Sequence, residues 1–370
     1  MNLPLTRIEI EKFRGLRDVK LEDMGQVNLI VGVNNSGKTS VLEAINTFCR
    51  PLEFRQYFET ARQREAVNFR GDVEQHYRWL FSQTFHDSEA WHGENLVRGS
   101  GAIGVRETHA MATGVKRLEG EMIQTGVSDD GEPEYEEADQ VENRGIEFVF
   151  KAKDSAGNAH EAVQHSVWNL GVNYSSTRPS ATTLGCKVQS LSPYVHRLQP
   201  SLLRKLSRAI QDDWVSEVNE LLAQIDPLIQ GLLLLSTEDG LSQIRLRHRD
   251  WGSMPLQAFG DGIRRAVLYS LSVPAVKGGV LLVDEIESAI HVTALPKVFR
   301  WLVAACKKFD VQLIATTHSL EAVDAVIEGM EVASDLVAYR LESQDGKIGA
   351  NRISGDLLRR IRFDRGLEVR

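Results

Sequence analysis

Residues 27–46 constrain this chain more than any other stretch. Val27–Val31 is a short apolar run with the character of a buried strand. Gly32-x-x-x-x-Gly37-Lys38-Thr39 follows at once, and Val41, Leu42, Ile45 and Phe48 then fall at helical spacing. A glycine-bounded loop between a strand end and a helix start is the arrangement that cradles phosphate. Gly32 and Gly37 permit backbone conformations closed to other residues, so the loop N–H groups can turn inward. Lys38 offers a point charge to the β- and γ-phosphates, and Thr39 a hydroxyl to Mg²⁺. Such a pattern arises by chance in roughly one chain in a hundred of this length, and the strand and helix context lowers that further. Nucleotide binding is therefore expected, with Gly32, Asn34, Asn35, Ser36, Gly37, Lys38, Thr39 and Ser40 forming the cradle.

The chain has 370 residues, enough for a large core and one to three domains. Its formal charge of −8 excludes a surface built as a whole to hold polyanions, though a local basic patch stays open. Cys49, Cys186 and Cys306 are too far apart in sequence to suggest a zinc site or a disulfide framework, which fits a reducing compartment. No apolar run approaches a membrane span, and Met1–Lys12 alternates and carries charge, unlike a secretory signal. A soluble cytoplasmic protein with no membrane partner is the expectation.

Residues 6–31 read as three strands, with Phe13-Arg14-Gly15-Leu16 as the corner between the first two. Residues 50–170 read as an insert with a β-rich part. Within it, 119–143 is dominated by Asp and Glu and reads as a solvated loop or hairpin tip; a contact for a basic partner is the alternative. Strands are expected at Ile146–Ala152, Glu161–Val167 and Val172–Tyr174. The spacing of Leu203, Leu206, Ile210, Trp214, Val218, Leu221 and Ile225 predicts one helix over 201–226, ended by Asp226-Pro227. A hairpin across Glu238-Asp239-Gly240, a helix at Ile263–Val273, buried strands at Val280–Val283 and Val311–Ala315, and a hairpin across Asp345-Gly346 complete the chain. The expected organisation is 1–200 as the first part of an ATPase domain, 201–255 as a helical lobe and hairpin, and 256–370 as its second part.

The second half carries further chemistry. Val280–Val283 ends in Asp284-Glu285. A strand-end Asp beside a phosphate loop can hold Mg²⁺, and a following Glu can take a proton from an attacking water. The strand Gln312–Thr317 ends in His318, placed to orient water or contact a γ-phosphate. Gly260-Asp261-Gly262 opens a helix; it reads equally as a phosphate-facing turn, with Arg264 and Arg265 neutralising charge, or as a simple N-cap by Asp261. Glu287 and His291, one helical turn apart, can meet; interface or packing is favoured over a metal role.

With these pieces in this order, the chain resembles the ABC-type ATPases, in the branch of RecF-like, SMC-like and OLD-like proteins. Residues 282–287 with His291, residues 316–319, and the ending Gly366-Leu367-Glu368-Val369-Arg370 are similar to small stand-alone AAA-family ATPases of two-gene antiphage modules. The likeness spans nearly the whole chain and is weakest at 50–200. It implies an α/β, P-loop NTPase fold with a mixed central sheet, an antiparallel β subdomain and a helical lobe. It implies ATP and Mg²⁺ as ligands, Thr39 and Asp284 on the metal, Glu285 as base, His318 as the switch histidine and Arg14 near the nucleotide. It further implies a head-to-tail homodimer in which each ATP also meets the partner's Gly260-Asp261-Gly262 turn.

Two departures stand out. Gly260 occupies the place of a signature serine, and Asp261 sets a negative charge where phosphate would lie unless Arg264 offsets it, which implies slow hydrolysis. No glutamine-loop residue is evident; Gln83 and Arg178 are the candidates. The favoured function is an ATP-gated homodimeric or larger switch controlling a separately encoded effector, a nuclease or toxin. About fifty residues follow His318, too few for an appended nuclease. A RecF-like DNA-binding ATPase, resting on Arg359, Arg360, Arg362, Arg365 and Arg370, is the alternative; a nucleotide-binding module without turnover is another. A transporter subunit is disfavoured by the degenerate turn.

Overall fold

The structure, a computed structural model, describes residues 2–64, 72–83, 91–119, 122–127, 133–137, 141–169, 175–176, 184–197, 199–236, 240–330, 332, 335–344 and 347–369. β1 (Arg7–Phe13) and β2 (Leu16–Leu21) form the first hairpin, registered Ile10↔Val19 and Phe13↔Leu16. Their Ile and Val residues are buried and the charged residues between them reach solvent, as a sheet with one wet face requires. Arg14 turns the corner at φ 54°. β3 (Val27–Val31) is buried along its whole length. α1 (Lys38–Cys49) starts from Gly37 at φ 89° and buries Val41, Leu42, Ile45 and Phe48 along one stripe.

The insert follows. α2 (Arg55–Arg64), α3 (Val73–Arg78) and the short β4 (Ser82–Gln83) precede β5 (His92–Ser100), β6 (Val105–Glu119), β7 (Met122–Val127), β8 (Pro133–Glu137), β9 (Val141–Asp154), β10 (Ala159–Trp168) and β11 (Ser175–Ser176). An antiparallel sheet runs β11-β10-β9-β6-β5-β1-β2, with β4 paired to β5. β6 and β9 stay in register from Glu107↔Lys153 to Glu119↔Val141, with a bulge between Val105 and Glu107, and among the described residues β7 pairs β8. The acidic stretch 119–143 is thus, in its described residues, the tip of a long hairpin. Phe54, Tyr57, Tyr77, Phe81, Phe148 and Phe150 make a separate aromatic core beneath α2 and α3, with Tyr57 and Phe81 stacked at 5.1 Å.

β12 (Val188–Leu191) leads to a lobe made of α4 (Gln199–Gln211), α5 (Val215–Ile225), β13 (Ile229–Ser236), β14 (Ser242–His248), β15 (Gly252–Pro255) and α6 (Asp261–Ser272). The single helix expected over 201–226 is two. Asp213 sits at φ 63°, its N–H reaches the carbonyl of Ile210 at 3.4 Å, and that of Trp214 reaches Ala209 at 2.8 Å. That is the double closure of a left-handed helix end, made with Asp where glycine is usual. Both helices turn Leu206, Ala209, Val218, Leu221 and Leu222 to the same core, while Ile210, expected in that stripe, is exposed beside the break.

β16 (Val280–Val283), α7 (Leu295–Lys308), β17 (Gln312–Thr317), α8 (Leu320–Gly329), β18 (Leu336–Gln344), β19 (Lys347–Ser354) and α9 (Gly355–Arg359) close the fold. The central sheet runs β12-β16-β17-β3-β18-β19, parallel except for the last pair. Both faces are covered, so alternate residues enter different cores. Val27, Leu29, Val31, Leu313 and Ala315 face the lobe side, while Ile30 and Ile314 face α1 and the first hairpin. Gln312 locks the hairpin to this sheet: its side chain accepts from the Leu5 N–H at 2.9 Å and donates to the carbonyls of Leu5 and Gly25 at 2.7 and 2.9 Å. Among the described residues no helix is long and apolar enough to cross a membrane. Val172–Tyr174, Arg178, 237–239 and 345–346 lie outside them.

Candidate nucleotide site

Three parallel strands end side by side, and the order of the sheet decides what meets. β17 lies between β3 and β16, so its last residues separate the glycine loop from Asp284. This is the carboxyl edge where open α/β sheets hold ligands.

The loop after β3 is shaped for close approach. Gly32 has φ 152°, and a Cβ there would lie 2.8 Å from Ser36 Oγ and 2.9 Å from the Leu341 carbonyl. Asn35 is left-handed at φ 64°. Ser36 Oγ is buried without a hydrogen-bond partner, an orphan donor inside the loop. Asn34 and Asn35 are exposed, and Ser40 lies in the first turn of α1. Lys38 Nζ donates to the carbonyls of Gly32 and Val33, both at 2.8 Å. Burial pulls its pKa below the ordinary lysine value, while Asp284, Glu285 and Glu287 oppose that shift.

Asp284 is the hub. It accepts from Thr39 Oγ1 at 3.0 and 3.2 Å and from Thr316 Oγ1 at 2.6 Å. Thr316 Oγ1 also accepts from the Glu285 N–H at 2.8 Å. That bond holds Glu285 at φ 47°, a left-handed conformation uncommon outside glycine and of the kind stored at functional sites. The donor set suits a hard cation: one carboxylate and a hydroxyl with no thiolate nearby. Among the described residues no cluster of three or more His, Cys, Asp or Glu side chains is arranged to hold a metal.

His318 is half exposed at the end of β17. Its N–H donates to Glu287 Oε1 at 3.2 Å, and its ring Nδ1 lies 3.3 Å from the same oxygen. Glu287 does not use His291, because residues 284–291 form bends and turns rather than a helix. His291 instead caps the next turn, accepting from the Thr293 N–H at 3.3 Å. Arg14 pairs with Glu43 of α1 at 2.5 Å and lies over the Trp79 ring at 4.7 Å. It thus reaches the helix that carries Lys38 and Thr39, one turn beyond them. Gln83 falls in the insert sheet, where its backbone pairs Gly93.

The Gly260-Asp261-Gly262 turn opens α6 with Gly260 as N-cap, so the capping reading holds for Gly260 and not for the Asp261 side chain. Asp261 is neutralised locally: Arg197 donates to it at 2.6 Å and Arg264 pairs it from the same helix. The Arg197 bond, ahead of the Arg264 charge, holds its carboxyl below the usual range. Arg265 corrects an expectation. It is fully buried and faces no phosphate, donating instead to the carbonyls of Ser192 at 2.6 Å and Asp284 at 3.2 Å and to Tyr269 Oη at 3.0 Å. Tyr269 donates in turn to the Ile286 carbonyl at 2.7 Å. Sequence reasoning passes over Arg197 and gives Thr316 no role in the site. The arginine tail is partly structural: Arg362 forks onto Asp324 at 2.7 and 2.8 Å.

Comparison with known proteins identifies a family and a fold. Residues 125–324, more than half of the chain, match the family described as AAA domain, putative AbiEii toxin, Type IV TA system. Residues 4–95 match a family described as AAA ATPase domain. The chain is similar to the DNA replication and repair protein RecF of Shewanella baltica, 33% identical over 121 residues, 33% of this chain and 28% of that one. Against RecF of Marinomonas sp. it is 41% identical over 71 residues, 19% and 18% of the two chains. Against an uncharacterized protein of Methanocaldococcus jannaschii it is 54% identical over 46 residues, 12% and 21%. The matched stretches span about a fifth to under a third of the length of these curated relatives. Among solved structures, the SMC head bound to the C-winged helix domain of ScpA superposes with TM-score 0.50 at 13% identity, covering 95% of this chain and 97% of that one. The fold is that of an SMC head, an ABC-type ATPase fold.

Proposed function

This chain belongs to the AAA-domain family that its residues 125–324 match, and from that premise we propose that it is a Mg²⁺-dependent ATPase working as a nucleotide-gated switch. The observation that carries the reading is the Asp284 carboxylate, shared by the Thr39 and Thr316 hydroxyls at the end of the glycine loop. Gly32, Asn34, Asn35, Ser36, Gly37 and Ser40 frame the phosphates with Lys38, whose ammonium leaves the Gly32 and Val33 carbonyls for the β- and γ-oxygens. Thr39 and Asp284 would hold Mg²⁺, which when bound would neutralise charge on the phosphates. Glu285 takes the proton of the attacking water as the γ-phosphoryl leaves ADP, giving ADP and phosphate. His318, braced by Glu287, orients that water. Arg14 acts through Glu43 on α1.

The resemblance at 282–287 and 316–319, and the toxin-system description of the family, support control of a separately encoded effector in an antiphage module. ATP closes two copies head to tail, each presenting Gly260-Asp261-Gly262 to the other's nucleotide. With Asp261 already neutralised by Arg197 and Arg264, the turn approaches phosphate without like-charge repulsion. Light scattering of Glu285→Gln tests this. Mass is expected to double with Mg-ATP and not without it; a monomer under both conditions overturns the switch. A second reading, DNA binding, is favoured by the likeness to RecF. It requires duplex binding that weakens steeply with salt, and its absence at low salt removes it.

A further inference from the structure

A cavity of about 560 Å³ lies apart from the glycine loop, between the end of α1, α2, β12 and α4. Arg50, Lys187, Arg204, Lys205 and Arg208 line it from three separate elements, in a chain whose formal charge is −8. The acids there are already engaged. Glu59 holds Arg55 at 2.7 Å, and Glu43 holds Arg14. Arg50 donates to the Val188 carbonyl and reaches Glu53 at 3.9 Å, and Arg208 reaches Asp212 at 3.5 Å. Lys187, Arg204 and Lys205 have no acidic partner among the described residues.

Like charges gathered in a concavity repel one another, and leaving them unpaired costs stability. A chain able to bury apolar residues there instead gains nothing from them unless an anion joins them. We propose that this cavity binds a small molecule carrying two or more phosphates, of nucleotide size, at a site distinct from the glycine loop. The volume is that of a small-molecule pocket. Three sources of cations, the Arg50 end of α1, Lys187 before β12 and the exposed face of α4, surround it as a phosphate chain requires. Burial, with the neighbouring Arg204 charge, brings the Lys205 pKa down from 10.5 to about 8. The groups facing it are Arg204 and Arg208 on its own helix, Arg50, Lys187, Arg55, Glu43 and Glu59 across the cavity. The occupant would tie the helical lobe to β12, whose Leu191 carbonyl accepts from the Asp284 N–H at 2.9 Å.

Calorimetric titration of Lys38→Ala protein with pyrophosphate and with ADP separates the two sites. One binding event per chain is expected to persist there, against two in the wild type. Adding Arg204→Ala or the exposed Lys187→Ala should weaken it at least tenfold, and affinity should fall above pH 8 as Lys205 loses its proton. Tighter binding of ADP assigns a nucleotide; equal binding assigns an inorganic polyphosphate. Loss of all binding with Lys38→Ala, or indifference to the cavity substitutions, overturns the proposal. So does a short DNA duplex that displaces pyrophosphate with a steep salt dependence, which would make the cavity part of a nucleic-acid surface.

Discussion

At the scale of residues, the chemistry turns on a few oxygens. Thr316→Val removes the donor to Asp284 and the acceptor for the Glu285 N–H. The expected loss is about 1–3 kcal/mol of stability, read by urea denaturation, with weaker Mg-ATP binding by titration. Asp284→Asn should abolish the Mg²⁺ dependence of nucleotide binding, while Glu285→Gln should keep binding and lose turnover, measured as phosphate release. Lys205 gives a pH signature. Its folded pKa, about 8, lies below its ordinary 10.5, so the unfolded chain binds more protons between these values. Stability from this group is therefore expected to rise with pH across that window, and Lys205→Met should raise the melting temperature at pH 7 and flatten the rise. The glycine loop is legible in sequence because its chemistry is local and its spacing fixed. The roles of Thr316 and Arg265 are not, because Thr316 meets Asp284 and Glu285, 32 and 31 positions away, Arg265 meets the Asp284 and Ser192 carbonyls, 19 and 73 positions away, and no local pattern marks such distant partners.

At the scale of elements, periodicity shows what is buried and hides where the chain turns. The stripe from Leu203 to Ile225 is continuous in sequence, yet Asp213 closes α4 in a left-handed conformation. Asp213→Gly, which relieves that strain, is expected to stabilise the protein by about 0.5–1 kcal/mol, seen as a shift in denaturation midpoint. The β strands are legible because apolar runs of four to six residues between turn signals admit few other readings. The Glu287–His291 pairing fails for the opposite reason: their spacing is helical, but Asp284–His291 is an irregular loop.

At the scale of the whole molecule, the mixed central sheet, the antiparallel subdomain and the lobe follow from the order of elements, but the joints between them do not. Gln312 is one such joint. Gln312→Leu strands the Leu5 N–H and two carbonyls, and about 3 kcal/mol of destabilisation is expected by chemical denaturation. The hairpin tip is another case. Joining Glu119 to Val141 by a short turn should leave nucleotide binding and melting temperature close to wild type, since the β6–β9 register ends there.

The position of β3 has a consequence for how the protein is made. Its sheet neighbours are β17 and β18, whose first residues are 312 and 336. At ribosomal rates of about 5–20 residues per second, a strand buried along its whole length waits roughly 15–60 s for its first partner. The phosphate loop hangs from that strand, so the nascent chain carries its defining motif long before it can use it. A nascent chain stalled ahead of residue 312 is expected to be held by chaperones or to aggregate, and ATP is expected to offer it no help. The nucleotide can stabilise only a chain whose last third has been delivered.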